Sequence, residues 1–276
     1  MAEKANPKLP EQRFVYSFPD SLLDHHVHST CSGDGKASIE DMCARAVELG
    51  ISEIAFTEHV ANNPADICYG TFDLDSYRLQ IDAARSKFDL TILTGIEFCE
   101  PHVYPDELQI ARTWGLDIIL GSVHWIGDAM ISVDSFAGLD VIETYHRYFD
   151  EVLKTVQTGG FEILAHFDLV KRFGARYVGP FRLDPFKTQV RAILEVMIER
   201  GIAMELNTSG LRQPCAEMFP GREILELYRS LGGRLVTIGS DAHRTEQLGY
   251  GLEEGLSLLE LVGLESGPPK PKTQNL

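Results

Sequence analysis

The chain has 276 residues, 44% of them hydrophobic, a formal charge of −16 and a pI near 4.9. That length supports one large α/β domain rather than two, and the acidic balance disfavours nucleic acid, whose counterions are displaced by Lys and Arg; a phosphate substrate stays open, because bound divalent metals reverse the local field. Five cysteines (Cys31, Cys43, Cys68, Cys99, Cys215) without a CxxC spacing argue against a thiolate zinc site or a disulfide framework and for a reducing cytoplasm, while no signal-peptide stretch opens the chain and no apolar run reaches the roughly 18 residues of a membrane span.

Residues 1–18 read as a polar arm, residues 19–265 as a single domain, and residues 266–276 as a Pro/Lys tail expected to be disordered. The first strand is expected at Leu22–Val27, running into Asp24-His25-His26-Val27-His28 and then a Ser/Gly/Asp loop. Ser38 with Glu40 and Asp41 is a helix-start signature, and Gly50 suits the stop of a helix over Met42–Leu49. A second strand is expected at Ile51–Thr57, followed by Glu58-His59, a long loop to Phe72 and a helix over Leu74–Ser86. The third strand, Leu90–Ile96, ends in Glu97, with a helix over Asp106–Trp114. The fourth, Asp117–Val123, ends in His124, with a long helix over Leu139–Thr158. The fifth, Phe161–Ala165, ends in His166, with a helix over Pro185–Glu199. The sixth, Ile202–Leu206, is followed by Asn207-Thr208-Ser209-Gly210 and a helix over Arg222–Leu231. The seventh, Leu235–Gly239, ends in Ser240-Asp241-Ala242-His243, and a last helix covers Leu252–Leu261.

Near-continuous apolar strands alternating with helices predict a parallel sheet buried on both faces, either a closed barrel or an open doubly wound sheet. The strand ends decide between them. His26 and His28, spaced i and i+2, share one face of an extended strand and could hold one metal ion. His59, Glu97, His124, His166, Asp241 and His243 stand at the carboxyl ends of other strands. Each alone is more often a hydrogen-bonded polar residue or a helix cap; together they call for one shared site. A barrel brings those ends to one mouth, whereas an open sheet spreads them along an edge. His25, His102 and His146 fall outside this pattern.

The set His26-x-His28, Thr57-Glu58-His59, Gly95-Ile96-Glu97, Gly121-Ser122-Val123-His124, Ala165-His166-Phe167-Asp168 and Ser240-Asp241-Ala242-His243 resembles the PHP (polymerase and histidinol phosphatase) family over roughly residues 20–262. Asn207–Arg212 and His166–Gly174 look like its histidinol-phosphatase branch. The resemblance implies a distorted (β/α)7 TIM-like barrel with three divalent metal ions, zinc, manganese or iron, at its C-terminal mouth. One ion would take His26, His28, Glu97 and Asp241. A second would share Glu97 as a bridge and add His124 and His166. The third would take His59, His243 and Asp34, a position where some members have histidine. The segments Asn62–Phe72 and Phe98–Pro101 depart from the family pattern.

The implied activity is phosphomonoester hydrolysis of L-histidinol phosphate, a small-molecule partner, with Glu97 bridging two metals and Asp34 or His243 giving a proton to the leaving alkoxide. Arg212, Lys171 and Arg172, just beyond strand ends, are candidate phosphate contacts, Arg being favoured by its bidentate fork. Other phosphoesters (a nucleotide phosphate, a nucleic-acid end, phosphotyrosine) and a non-catalytic metal-stabilised domain are the alternative readings.

Overall fold

The computed structural model describes residues 22–132, 136 and 140–267. The expected arm over 1–18 lies outside the described residues, as does the tail beyond 267. Ser266 forms a parallel bridge with Val236, and Gly267 N–H donates to the Val236 carbonyl.

Strands β1 (Leu22–Val27), β2 (Ile51–Val60), β3 (Thr91–Cys99) and β4 (Ile118–Ser122) lead to a two-stranded hairpin, β5 (Trp125–Ile126) and β6 (Ala129–Met130). β7 (Ile163–Leu164), β8 (Ala203–Asn207) and β9 (Val236–Gly239) complete a seven-stranded parallel sheet in the order β1-β2-β3-β4-β7-β8-β9. The two edges of this sheet meet. His28 N–H donates to the Ala242 carbonyl at 2.9 Å and Asp241 N–H to the His26 carbonyl at 2.8 Å, joining the ends of β9 and β1. Asp24 secures the same seam, its two oxygens accepting from Ser240 N–H at 2.8 Å and Gly249 N–H at 3.1 Å. The result is a nearly closed, distorted (β/α)7 barrel.

Helices α1 (Ile39–Leu49), α2 (Leu74–Lys87), α3 (Pro105–Ala111), α4 (Val141–Thr158), α5 (Lys171–Val178), α6 (Lys187–Arg200), α7 (Arg222–Ser230) and α8 (Leu252–Val262) connect the strands. α1 starts on the Ser38–Asp41 capping box and stops at Gly50, whose φ of 71° is left-handed. α4 starts at Val141 on an Asp140 cap; Leu139 is outside the described residues. α5 falls in a stretch where the sequence reading places no helix, and it carries Gly174 against Tyr145 of α4. A Cβ there would sit 2.4 Å from the Tyr145 ring, so glycine allows α5 to pack directly on α4.

Strand residues divide between two surroundings, as alternation requires. Ile54 and Phe56 of β2, and Ile96, Phe98 and Ile119 of β3 and β4, pack among helix residues. Ala55, Ile118, Leu120, Ile163, Ala165 and Ala203 form a separate small cluster inside the sheet. Three alanines in that interior leave little bulk beneath the mouth. No helix among the described residues is long and apolar enough to cross a membrane.

Candidate metal centre

β2 and β3 run further than their apolar sequence suggested, and this builds the middle of the site. Their pairing continues through Thr57↔Gly95 to His59↔Glu97 and Val60↔Phe98. Glu58-His59 and Glu97 were expected after their strands; they lie within them, side by side in register. β7 does the opposite. The chain turns out of it at His166, which has a φ of 26°. Asp241 has a φ of 52°, and both are backbone conformations that non-glycine residues rarely hold without tertiary support.

Glu97 sits at the centre, 1% exposed, and its two oxygens face different imidazoles. Oε1 lies 2.7 Å from His166 Nε2 and 3.3 Å from His124 Nε2. Oε2 lies 3.1 Å from His59 Nδ1, 3.2 Å from His26 Nε2 and 3.4 Å from His28 Nε2. Asp241 Oδ1 is 3.6 Å from His28 Nε2 and 3.5 Å from His243 Nδ1. Asp34 Oδ2 is 3.0 Å from His243 Nε2 and 3.7 Å from His59 Nε2. Three groups of donor atoms are close enough to share an ion: His26–His28–Glu97, Glu97–His124–His166, and His28–His59–His243. A fourth, Asp34–His59–Cys68, includes a thiol that sequence reasoning set aside. Burial, with Asp34 and Asp66 nearby, pushes that thiol up to about 12 and disfavours the thiolate.

The donor atoms suit metal. His26 and His28 hold their Nε2 atoms 2.9 Å apart, and the other nitrogen of each ring is already engaged. His26 Nδ1 is 2.6 Å from Glu205 Oε1. His28 Nδ1 is 3.2 Å from Ser32 Oγ, whose own proton goes to Glu58 at 2.6 Å. His243 Nδ1 is 3.1 Å from the Asp241 carbonyl. With Nδ1–H donating outward and Nε2 deprotonated, each of these three rings would present an Nε2 lone pair to the middle, the tautomer a metal ligand needs. Asp34 Oδ1 is buried without a hydrogen-bond partner. Imidazole and carboxylate donors without thiolate match zinc, manganese or iron.

The electrostatics follow from packing imidazoles around carboxylates. Burial would raise the Glu97 carboxyl, but His59, His26 and His124 outweigh it and hold it well below the usual range. Asp34 and Asp241 are lowered in the same way, by His243 and His59 and by His26 and His243 respectively, against their burial. Burial, reinforced by His59 and His243, lowers His28 to about 3, so this ring is neutral and its lone pair available.

Several supporting groups were not foreseen. Glu205 is a single polar residue inside the apolar run Ile202–Leu206. Its Oε1 meets His26, and its Oε2 accepts from His166 N–H at 2.7 Å and Asn207 Nδ2 at 3.1 Å. Gly239 makes room for this: a Cβ there would lie 2.4 Å from His26 Cβ and 2.9 Å from Glu205 Oε1. Glu58 pins the first loop through Ser29 and Ser32, and Glu100 accepts from His124 N–H at 2.6 Å. The signal for each was an acidic residue inside, or directly after, a strand buried on both faces, where a lone carboxylate needs several donors.

The candidate phosphate contacts separate. Lys171 does not belong with them. It is fully buried, and its Nζ is held by Asp168 at 2.9 Å, Glu217 at 2.9 Å and the Met218 carbonyl at 2.7 Å. That satisfies all three protons and ties the start of α5 to the loop before α7. Arg212 spends two guanidinium nitrogens on the carbonyls of Ser240 at 2.7 Å and Asp241 at 2.6 Å, fixing the strained turn after β9. Arg172 uses Nε on Gln213. Arg172 and Arg212 both line a cavity beside Asp34, Asp241 and His243 that also contains Lys36 and Arg244. His25, His102 and His146 bond to Glu53, to Glu151 and Thr155, and to Gln189, away from this centre.

The profile of the PHP domain matches residues 24–209. A protein of Thermotoga maritima named "Probable histidinol-phosphatase" is 30% identical over 247 residues, covering 88% of this chain and 94% of the relative. The "Histidinol-phosphatase" of Lactococcus lactis is 26% identical, covering 87% of this chain and 91% of the relative. Among solved structures, the histidinol phosphate phosphatase of Lactococcus lactis, crystallised with zinc, L-histidinol and phosphate, superposes with a TM-score of 0.79 at 23% identity, over 89% of this chain and 95% of that one.

Proposed function

The chain belongs to the PHP domain family, and on that premise we propose that it is a metal-dependent phosphomonoesterase that hydrolyses L-histidinol phosphate to L-histidinol and phosphate. The observation that carries the reaction class is the division of Glu97: one oxygen faces His124 and His166, the other His26, His28 and His59. A carboxylate so placed can serve two metal positions at once. The substrate follows from the relatives, which carry the histidinol-phosphatase name over nearly their whole length.

In this reading His26, His28, Glu97 and Asp241 would hold one ion, Glu97, His124 and His166 a second, and His59, His243 and Asp34 a third. Divalent ions bound there supply Lewis acidity toward phosphoryl oxygens and lower the pKa of water. The remaining work belongs to the protein. Glu97 fixes the spacing of the two histidine groups. Arg172, whose terminal nitrogens have no protein acceptor among the described residues, offers a fork to a phosphoryl oxygen beside Asp241 and His243. Arg212 acts on the phosphate side by holding the Asp241 carbonyl. The departing alkoxide needs a proton, and whichever of Asp34 and His243, 3.0 Å apart at the rim, is not committed to the third ion would give it.

The direct test is turnover by enzyme loaded with zinc, manganese or iron on a panel of esters. L-histidinol phosphate is expected to be hydrolysed well, with little activity on a phosphodiester or single-stranded DNA. A metal-loaded enzyme that ignores L-histidinol phosphate and cleaves another phosphoester efficiently would overturn the substrate assignment.

A further inference from the structure

The mouth of the barrel is divided by charge. One cavity beside the metal centre holds Lys36, Arg172, Arg212 and Arg244. The other, over His59, Glu97, His124 and His166, is walled on its outer side by Asp66, Ile67, Met130 and Leu169. The two share Asp34, Arg172, Asp241 and His243, so the centre lies between a cationic side and a side whose outer wall bears a carboxylate.

Asp66 is held in place by neutral donors. Its Oδ2 accepts from Trp125 Nε1–H at 3.0 Å and its Oδ1 from Cys68 N–H at 2.8 Å. The Cys68 bond closes a local turn, and the Trp125 bond ties the segment before α2 to the β5–β6 hairpin. No cation pairs with Asp66 among the described residues. Asp34 and Asp241, the other carboxylates facing these cavities besides Glu97, are engaged by histidines. An oriented carboxylate without a counter-charge, at the edge of a cavity with apolar walls, projects its negative potential into that cavity. It attracts a cation and repels a phosphate or a second anionic group, giving selection by both attraction and exclusion.

We propose that Asp66 is the specificity residue for the alcohol half of the substrate, binding its cationic end, an ammonium or imidazolium group, while the phosphate occupies the metal centre and the Arg172 side. This rests on the phosphomonoesterase reading above and adds the residue that chooses among esters. Esters whose alcohol carries a negative charge, such as nucleotides or acidic phosphopeptides, meet repulsion at the same position.

The test compares kcat/KM for L-histidinol phosphate with that for phenyl phosphate, which has no cation, in the metal-loaded full chain. Asp66→Asn keeps the shape and removes the charge; the ratio should fall by about 10- to 100-fold, the usual effect of losing a charged hydrogen bond. L-histidinol binding, measured by calorimetry, should weaken by a similar factor relative to inorganic phosphate binding. Asp66→Glu should restore most of the ratio, and Trp125→Phe, which removes only the indole donor, should retain it. If Asp66→Asn folds poorly, the Asp66→Glu and Trp125→Phe pair still decides: loss of the ratio in both would assign Asp66 a structural role and overturn the proposal. A wild-type enzyme that prefers L-histidinol phosphate and an Asp66→Asn variant with an unchanged ratio would overturn the Asp66 assignment alone. A wild type without that preference would overturn the substrate reading and the Asp66 role with it.

Discussion

Glu205 Oε1 lies 2.6 Å from His26 Nδ1, both side chains at most 1% exposed, although 179 residues separate them. The same carboxylate holds the backbone of His166 through its other oxygen at 2.7 Å. One buried acid therefore orients a histidine from each of the two groups that meet on Glu97. Glu205→Gln keeps the volume but loses the anionic acceptor that sets the His26 tautomer. Metal affinity, read by competition with a fluorescent chelator, is expected to fall about 10- to 100-fold. Wild-type affinity in this variant would show that His26 is oriented by packing alone.

Glu97→Gln tests the bridge itself. The amide keeps one acceptor oxygen and replaces the other with a donor, so both histidine groups lose their shared anion. Elemental analysis should show loss of more than one ion per chain, and the rise in Tm that metal gives the wild type should shrink. His25→Ala, at a ring that bonds Glu53 and not the metal centre, serves as the comparison. Equal metal content in the two variants would remove the bridging role.

Lys171→Met tests whether the buried Lys171 is a structural cation rather than a phosphate contact. The substitution leaves Asp168 without its cation in a fully buried position. Breaking a buried pair from one side costs about 3–5 kcal/mol, which urea unfolding should reveal as a lower midpoint. A variant of wild-type stability with only a raised KM would return Lys171 to the substrate.

His102 gives a pH prediction away from the metal centre. Burial lowers its pKa below the usual value, against the pull of Glu151 at 2.8 Å. The folded state thus favours the neutral ring more than the unfolded chain does. The resulting stability is fully present above the unfolded pKa of about 6.5 and is lost as pH falls through the folded value. The His102 ring protons should titrate with a midpoint below 6.5 by NMR, and His102→Gln should flatten the stability loss below that pH. A midpoint above 6.5 would mean that Glu151 dominates.

The sequence by itself determined the strand and helix succession, the parallel sheet and the residues brought to the mouth, because these depend on local periodicity and on where polar residues interrupt apolar strands. His26, His59, Glu97, His124, His166 and Asp241 could be selected without coordinates for that reason. Tertiary structure decided what depends on partners distant in the chain. β2 and β3 run on through His59 and Glu97 because each polar residue finds its partner on the neighbouring strand. Glu205 reads as one polar residue in an apolar run until folding brings it to His26 and the backbone of His166. Lys171 and Arg172 are adjacent in sequence and alike in charge, yet Lys171 is enclosed by Asp168, Glu217 and Met218 while Arg172 lines the cavity. A single chain position carries no record of which carboxylate or carbonyl will face it, and burial together with that pairing separates a structural cation from one that can meet a phosphate.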